Sequence, residues 1–116
     1  MKLSKVISLF EDNDELNELI TAISYNGDVD SFKLTLEYWD KDFEKLYTMD
    51  ADLNEDGSIG YIFKIDDNTD NYYLPDQFAY AITSISQIWN SYMSISEETF
   101  DTALEYLNKM CNFSED

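Results

Sequence analysis

Residues 44–67 constrain the fold most, because apolar residues alternate with polar ones on both sides of one turn sequence. Alternation with a period of two is typical of a half-buried β-strand, so this stretch predicts a β-hairpin. The apolar positions are Tyr47, Met49, Ala51 and Leu53 on the first arm and Ile59, Tyr61, Phe63 and Ile65 on the second.

The length of the turn decides whether the two apolar sets share a face. A two-residue loop at 56–57 would pair Leu53 with Gly60 and place the sets on opposite faces, because a slip of one residue inverts every side chain. A three-residue loop, with a type I turn and a left-handed Gly57, pairs Leu53 with Ile59 and keeps them together. It leaves four acidic residues on the far face and at the tip: Asp50, Asp52, Glu55 and Asp56.

The segments around the hairpin complete a predicted α+β domain. Apolar residues recur at helical spacing in two stretches near the N-terminus, separated by possible helix caps at Asp12 and Asn13. The first stretch contains Leu3, Val6, Ile7 and Phe10, and the second contains Leu16, Leu19, Ile20 and Ile23. The two stretches predict one bent helix or two, ending at Gly27. Alternation at 32–38 predicts another strand. A helical pattern follows at 75–92, with Pro75 suited to its first turn. A further helix is predicted after a capping sequence at 94–97.

We therefore expect a single domain over residues 1–116, with a three-stranded antiparallel meander and helices packed on one face. The expected order is one or two helices, three strands and two helices. The size suits one modest core.

The charge of the chain limits its partners. The formal net charge is −18, and the basic side chains are lysines, without arginine or histidine. Such a chain should be repelled by nucleic acid and by anionic membranes, and it should be steered toward a basic protein surface. The lone Cys111 excludes an internal disulfide, and we find neither a signal peptide nor a membrane span. We expect a soluble, cytoplasmic protein.

Motifs for catalysis are weak. Residues 52–59 match the first eight positions of a calcium-binding EF-hand loop, but position twelve, which needs a bidentate Glu, is Phe63. A turn sequence explains the same residues, so we predict no metal and no cofactor. The usual components of an enzyme active site are missing as well, and we do not expect an enzyme.

The distribution of carboxylates gives the main functional hypothesis. Alternate strand positions place Asp50 and Asp52 about 6.5–7 Å apart on one face, and Glu55 and Asp56 continue this row. A duplex backbone presents a comparable row of phosphates. Together with a second patch at Glu97, Glu98 and Asp101, the row predicts a mimic of nucleic acid that occupies a basic groove. The alternatives are an immunity or antirestriction protein that caps another nuclease, a calcium-binding protein, or an interaction domain with incidental charge.

Three short matches resemble the small acidic phage-encoded inhibitors of type II-A Cas9, a group of anti-CRISPR proteins. They are residues 17–20 (NELI) in the first helical region, the turn at 54–57 (NEDG), and Trp89-Asn90 followed by an acidic turn at 97–100. This chain has a longer N-terminus and a longer loop before its last helices than that family.

The resemblance implies a mechanism and a set of contact residues. In that family, the acidic hairpin tip and the acidic junction of the last helices lie in the Arg/Lys pocket that reads the PAM, which blocks target DNA. Guide-RNA-loaded Cas9 is then the expected partner. By position, the contact roles fall on Asn54, Glu55, Asp56, Tyr92, Glu97 and Glu98.

Overall fold

The computed structural model describes residues 2–42, 44–65 and 74–93. Its elements in chain order are α1 (Leu3–Glu11), α2 (Asp14–Asn17), β1 (Ile20–Asn26), β2 (Ser31–Asp40), β3 (Lys45–Asn54), β4 (Ile59–Ile65) and α3 (Asp76–Met93). The strands form one antiparallel sheet in the order β1-β2-β3-β4. The α+β class is confirmed, whereas the three-stranded meander is wrong because the sheet has four strands. The last predicted helix lies outside the described residues.

The additional strand is β1, which the helical spacing of its apolar residues had assigned to a helix. The pairing of β1 with β2 shifts between Ile20 and Ala22, so Thr21 is an extra residue in a β-bulge. Ile20 lies opposite Leu36 and Ile23 opposite Leu34, and both isoleucines pack against the core. Because of the bulge, Ile20 and Ile23 lie on the same face although they are three positions apart in the sequence. Apolar residues three positions apart are also typical of a helix, which explains the wrong prediction.

The N-terminal helical region consists of two helices. α1 ends at Glu11, and Asn13 caps α2, because its side-chain oxygen accepts a hydrogen bond from the Leu16 N–H at 2.9 Å. α2 ends at Asn17, after one turn. Gly27 was expected to end a helix, but it lies in the turn between β1 and β2. Residues 17–20, one of the matches to the Cas9 inhibitors, therefore run from the end of α2 into β1.

The predicted hairpin is confirmed in its register and its turn. Leu53 pairs with Ile59, and the remaining pairs are Ala51–Tyr61, Met49–Phe63 and Tyr47–Ile65. Gly57 has φ 95°, a left-handed conformation that glycine adopts at low cost. The Gly57 N–H donates to the Asn54 carbonyl oxygen at 3.0 Å, and the Asn54 N–H donates to the Ser58 carbonyl oxygen at 2.9 Å. These bonds define a type I turn followed by a glycine bulge.

One hydrophobic core lies between the sheet and the helices. α1 contributes Val6 and Phe10, and α3 contributes Phe78, Ala81, Ile82, Ile85 and Trp89, all fully buried. The inward-facing residues of β2, β3 and β4 form the other side of the core. Between β4 and α3, the Tyr61 hydroxyl donates to the Ile82 carbonyl oxygen at 3.5 Å, and burial raises the pKa of this phenol. Helices thus cover one face of the sheet, as the sequence predicted.

The other face of the sheet, which we call the outer face, is partly exposed and chemically mixed. It carries Asp50 and Asp52 together with Lys33 and Lys64, and Trp39 and Ile62 are almost half exposed. Among the described residues, none of the helices has both the length and the apolar content needed to cross a membrane.

Candidate partner-binding surface

Two hairpin turns meet at one end of the sheet and bring four exposed carboxylates together. In an antiparallel meander, the β1–β2 turn and the β3–β4 turn lie at the same end, and the pairing of Ser31 with Asn54 sets them side by side. The backbone N–H of Glu55 donates to the carbonyl oxygen of Asp30 at 3.2 Å. We call this region the acidic end and define it by its four exposed acidic residues, Asp28, Asp30, Glu55 and Asp56.

The tip of the β3–β4 hairpin holds one of these carboxylates in place. Asp56 Oδ1 accepts a hydrogen bond from the Ser58 N–H at 2.9 Å and another from the Ser58 hydroxyl at 2.6 Å. The Asn54 side-chain amide donates to the same hydroxyl oxygen at 2.9 Å. The bond from the Ser58 hydroxyl, followed by the bond from its N–H, lowers the pKa of Asp56. The two bonds from Ser58 therefore orient the Asp56 carboxylate within the turn.

The β1–β2 turn is ordered by similar local bonds. Asn26 Oδ1 accepts a hydrogen bond from the Asp28 N–H at 3.1 Å, and the Asn26 carbonyl oxygen accepts from the Val29 N–H at 3.3 Å. Asp30 closes the turn with φ 48°, a left-handed conformation that Asp tolerates better than most residues. This geometry turns the chain back into β2 beside the other hairpin.

An aromatic row crosses the core face beneath the acidic end. Tyr25 packs on Phe32 with ring centroids 4.8 Å apart, and Phe32 meets the Trp89 ring edge-on at 6.5 Å. Trp89 stacks on Tyr92 at 5.4 Å. The two ends of the row reach solvent, since Tyr25 is 45% exposed and Tyr92 is 36% exposed.

The aromatic row is bonded to both turns. Trp89 Nε1 donates to the Asn54 carbonyl oxygen at 3.3 Å, which fixes the hairpin tip to α3. The Tyr25 hydroxyl donates to Asp30 Oδ1 at 3.3 Å. Partial desolvation, followed by the negative charges of Asp30 and Glu55, raises the pKa of Tyr25. Hydrogen bonds from Trp89 and Tyr25 therefore connect both turns of the acidic end to packed aromatic side chains.

The two turns of the acidic end contain no cation, although Lys33 follows the first turn in β2. The two turns, residues 27–30 and 55–58, contain no lysine, whereas Lys41 and Lys45 flank the β2–β3 turn at the opposite end. On the outer face, Lys33 lies directly across from Asp52. Oppositely charged residues at directly opposed strand positions attract each other, so the charge of Asp52 is partly compensated.

The predicted contact residues fall into three groups. Asn54, Glu55 and Asp56 form the hairpin tip, and Trp89 connects this tip to Tyr92. Asp50 and Asp52 lie on the outer face, as predicted, and Asp50 Oδ1 accepts a hydrogen bond from the Thr35 hydroxyl at 3.0 Å. The third group, Glu97, Glu98 and Asp101, lies outside the described residues, as does Cys111.

Sequence reasoning missed the contribution of the first turn. Asp28 and Asp30 were placed after a helix rather than in a hairpin turn, so their position beside Glu55 was not expected. Asn26-Gly27-Asp28 is a typical turn sequence, and β-branched residues with Tyr25 precede it. This was the available signal, and the β-bulge concealed it.

The described residues offer little for catalysis or metal binding. Among residues 2–42, 44–65 and 74–93, no group of three or more His, Cys, Asp or Glu side chains is placed to hold a metal ion. Phe63, at the twelfth position of the partial EF-hand match, belongs to the core. One open groove of about 310 Å³ lies between α2 and α3, lined by Glu15, Glu18, Leu19, Asp76, Gln77 and Tyr80.

Comparison of the chain with protein-family models, with curated proteins and with solved structures found no match. The proposals below therefore rest on the geometry and charge of the chain itself and on the short sequence resemblance.

Proposed function

We propose that the protein is a DNA-mimic inhibitor that binds the basic PAM-reading groove of a Cas9-type nuclease in the bacterial cytoplasm and blocks loading of target DNA. The observation that carries this proposal is the acidic end. Two separate hairpins present their carboxylates side by side, without a lysine in either turn. A fixed cluster of anions on a small scaffold suits a groove that normally holds phosphates.

The contact chemistry is charge-assisted hydrogen bonding. PAM-reading arginines normally pair with guanines in the major groove. A carboxylate accepts both N–H groups on one side of a guanidinium, and such paired bonds are among the strongest in proteins. Glu55 and Asp56 at the hairpin tip are the acceptors for these arginines. Inhibition requires only that the groove be occupied, so no reaction takes place.

Preorganisation favours a tight contact. Asp56 is already bonded to Ser58, and the tip is bonded to Trp89, so binding orders few additional groups. Tyr25, which is bonded to Asp30, and Tyr92, which stacks on Trp89, are partly exposed. A guanidinium group that stacks on such a ring gains about 0.5–1 kcal/mol at exposed sites. Tyrosine is also enriched among the residues that dominate binding energy at protein interfaces.

The test is a double charge reversal at the tip, Glu55→Lys with Asp56→Lys. In a DNA-cleavage assay with purified type II-A Cas9 and its guide RNA, we expect the concentration for half-inhibition to rise at least about 100-fold. Removal of a charged partner from a desolvated contact costs about 2–5 kcal/mol. A circular dichroism melt verifies that the variant is folded.

The matched control is Asp42→Lys with Glu44→Lys, which changes the charge by the same amount in the exposed turn at the opposite end of the sheet. This control should inhibit like the unmodified protein. Unchanged potency of the tip variant would refute the assignment of the tip. A PAM-containing duplex should also compete with the inhibitor, whereas an immunity protein for another nuclease would be insensitive to the PAM.

A further inference from the structure

Within the described residues, β1 is an edge strand of the sheet, and its own sequence carries no charge. In the described part of the chain it pairs with β2 alone, and its sequence, ITAISYN, contains neither charge nor proline. Five of its residues are exposed, and Ile20 and Ile23 are partly buried. Natural proteins usually block such an edge with charges, proline or a covering segment, because its unpaired N–H and C=O groups attract another strand. The other edge strand, β4, carries Lys64.

The two ends of β1 are acidic although its middle is neutral. Glu18 precedes the strand, and Asp28 and Asp30 follow it, all exposed. The strand has seven residues, a length of roughly 23 Å at about 3.3 Å per residue. The groove between α2 and α3 opens next to the start of β1, because Glu18 and Leu19 line it together with Glu15 and Tyr80. This groove would accept a cationic side chain beyond the end of a paired strand.

The acidic residues at both ends of β1 determine which kind of strand can pair with its edge. A second copy of the chain pairing antiparallel through β1 would place Glu18 of one copy beside Asp28 and Asp30 of the other, and each copy has a net charge of −18. Like charges at both ends would oppose that dimer. An extended segment with an uncharged middle and a lysine or arginine at each end meets attraction at both ends and pairs its backbone with the strand.

We propose that the free edge of β1 binds an extended segment of a partner protein as a fifth strand of the sheet, and that basic residues on both sides of this segment contact Glu18 at one end and Asp28 and Asp30 at the other. This inference shares Asp28 and Asp30 with the acidic end, but it rests on strand pairing along β1 rather than on the hairpin tip, and its test uses peptides without a nuclease. One partner with a basic groove and a neighbouring extended segment would use both surfaces.

The probe is a synthetic peptide of seven alternating threonine and valine residues with two lysines at each end. In an NMR titration of the ¹⁵N-labelled protein, we expect amide shifts centred on residues 18–28. The same peptide with glutamates at its ends should bind at least about tenfold more weakly. A third peptide, N-methylated at consecutive residues through its middle so that both of its edges lose donors, should not bind, because N-methylation removes the N–H groups that strand pairing requires.

A charge exchange in the protein tests the flanks. Glu18→Lys with Asp28→Lys makes the Glu18 end basic and leaves Asp30 to balance the new lysine at the other end, so the preference for the lysine-ended peptide over the glutamate-ended one should fall at least about tenfold. The control Asp42→Lys with Glu44→Lys should keep the original preference. Each of these results would overturn the proposal: no binding of the lysine-ended peptide at millimolar concentration, equal binding of the N-methylated peptide, an unchanged preference in the Glu18→Lys, Asp28→Lys variant, or self-association through β1.

Discussion

Asp56 orders the hairpin turn and is also one of the residues for which we propose a role in recognition. Its carboxylate accepts two hydrogen bonds from Ser58, and these bonds form within the turn before any partner is present. A hydrogen bond to the ionised form of a carboxyl group lowers its pKa, so the fold stabilises the charge that a basic partner would use. Glu55, next to it, contributes through its backbone N–H, which joins the two turns.

The shift of the Asp56 pKa predicts the sign of its effect on stability. The pKa is lower in the folded protein than in the unfolded chain, so the stabilisation is present above the unfolded-state pKa. It is lost as the pH falls through the folded-state pKa. Ser58→Ala removes the hydroxyl donor and leaves the N–H donor, so we expect the pKa of Asp56 to rise toward its ordinary value.

An NMR titration of the Asp56 side-chain carboxyl carbon measures this change directly. Ser24→Ala, an exposed substitution of the same kind in β1, is the control and should leave the pKa of Asp56 unchanged. If Ser58→Ala also leaves it unchanged, the hydrogen bond from the Ser58 hydroxyl does not determine the charge of the tip.

The β3–β4 hairpin depends on the conformation of one glycine. Gly57 has φ 95°, which a residue with a Cβ adopts at a cost of about 1–2 kcal/mol. We therefore expect Gly57→Ala to lower the free energy of unfolding by about 1–2 kcal/mol in urea denaturation. The hairpin tip would be disturbed with it, because Gly57 makes the turn bond to Asn54.

Gly60 provides the matched control in the same hairpin. It lies in β4, its φ is not positive, and a Cβ built on it meets nothing within 4 Å. Gly60→Ala should raise the free energy of unfolding by about 0.4–1 kcal/mol, because alanine restricts the unfolded chain more than glycine does. Equal effects of the two substitutions would show that the left-handed turn is not the source of the difference.

The elements that sequence reasoning located correctly are those whose signals are local. In the β3–β4 hairpin, alternation on both arms and the turn chemistry of Gly57 agree, and the exact pairing of Leu53 with Ile59 followed. β1 was missed because Thr21 is an extra residue, which places Ile20 and Ile23 on one face. A bulge depends on the partner strand, so the spacing of β1 alone could not reveal it.

In the candidate surface, too, the residues placed by local signals were predicted, whereas those placed by long-range contacts were not. The hairpin tip, Glu55 and Asp56, was predicted because a turn rich in Asp, Asn and Gly is recognisable from its own residues. The approach of Asp30 to Glu55 depends on the pairing of Ser31 with Asn54, which are far apart in the chain. The contact of Trp89 with the tip is also a long-range contact. The sequence alone therefore predicted Glu55 and Asp56 at the acidic end, but not Asp28 and Asp30.

The charge of the whole molecule acts in opposite directions on folding and on binding. Two carboxylates about 7 Å apart repel each other by roughly 0.6 kcal/mol in water, and a net charge of −18 contains many such pairs. This self-repulsion opposes the compact state. The same charge attracts a cationic groove and accelerates association with it. Salt weakens both effects, since the Debye length falls from about 30 Å at 0.01 M to about 10 Å at 0.1 M.

We therefore predict that salt stabilises the free protein while it weakens the complex. Between about 0.01 and 0.3 M NaCl, the melting temperature should rise by several degrees, since 1 kcal/mol corresponds to about 4 °C for a domain of this size. Over the same range, the Kd for the proposed Cas9 partner should increase at least about tenfold, because in the proposed complex the acidic end occupies a groove that normally holds a phosphate backbone. Calorimetry and a binding titration at each salt concentration measure the two trends.

The tip variant Glu55→Lys with Asp56→Lys separates these contributions. It retains most of the negative charge, so its melting temperature should still rise with salt, but its binding should no longer show the steep salt dependence. If binding of the unmodified protein were insensitive to salt while its stability responded, the net charge would be a property of the folded surface and the acidic end would not act as a substitute for DNA. If salt raises the melting temperature and weakens binding, and if only the salt dependence of binding is lost in the tip variant, then recognition takes place at these two turns.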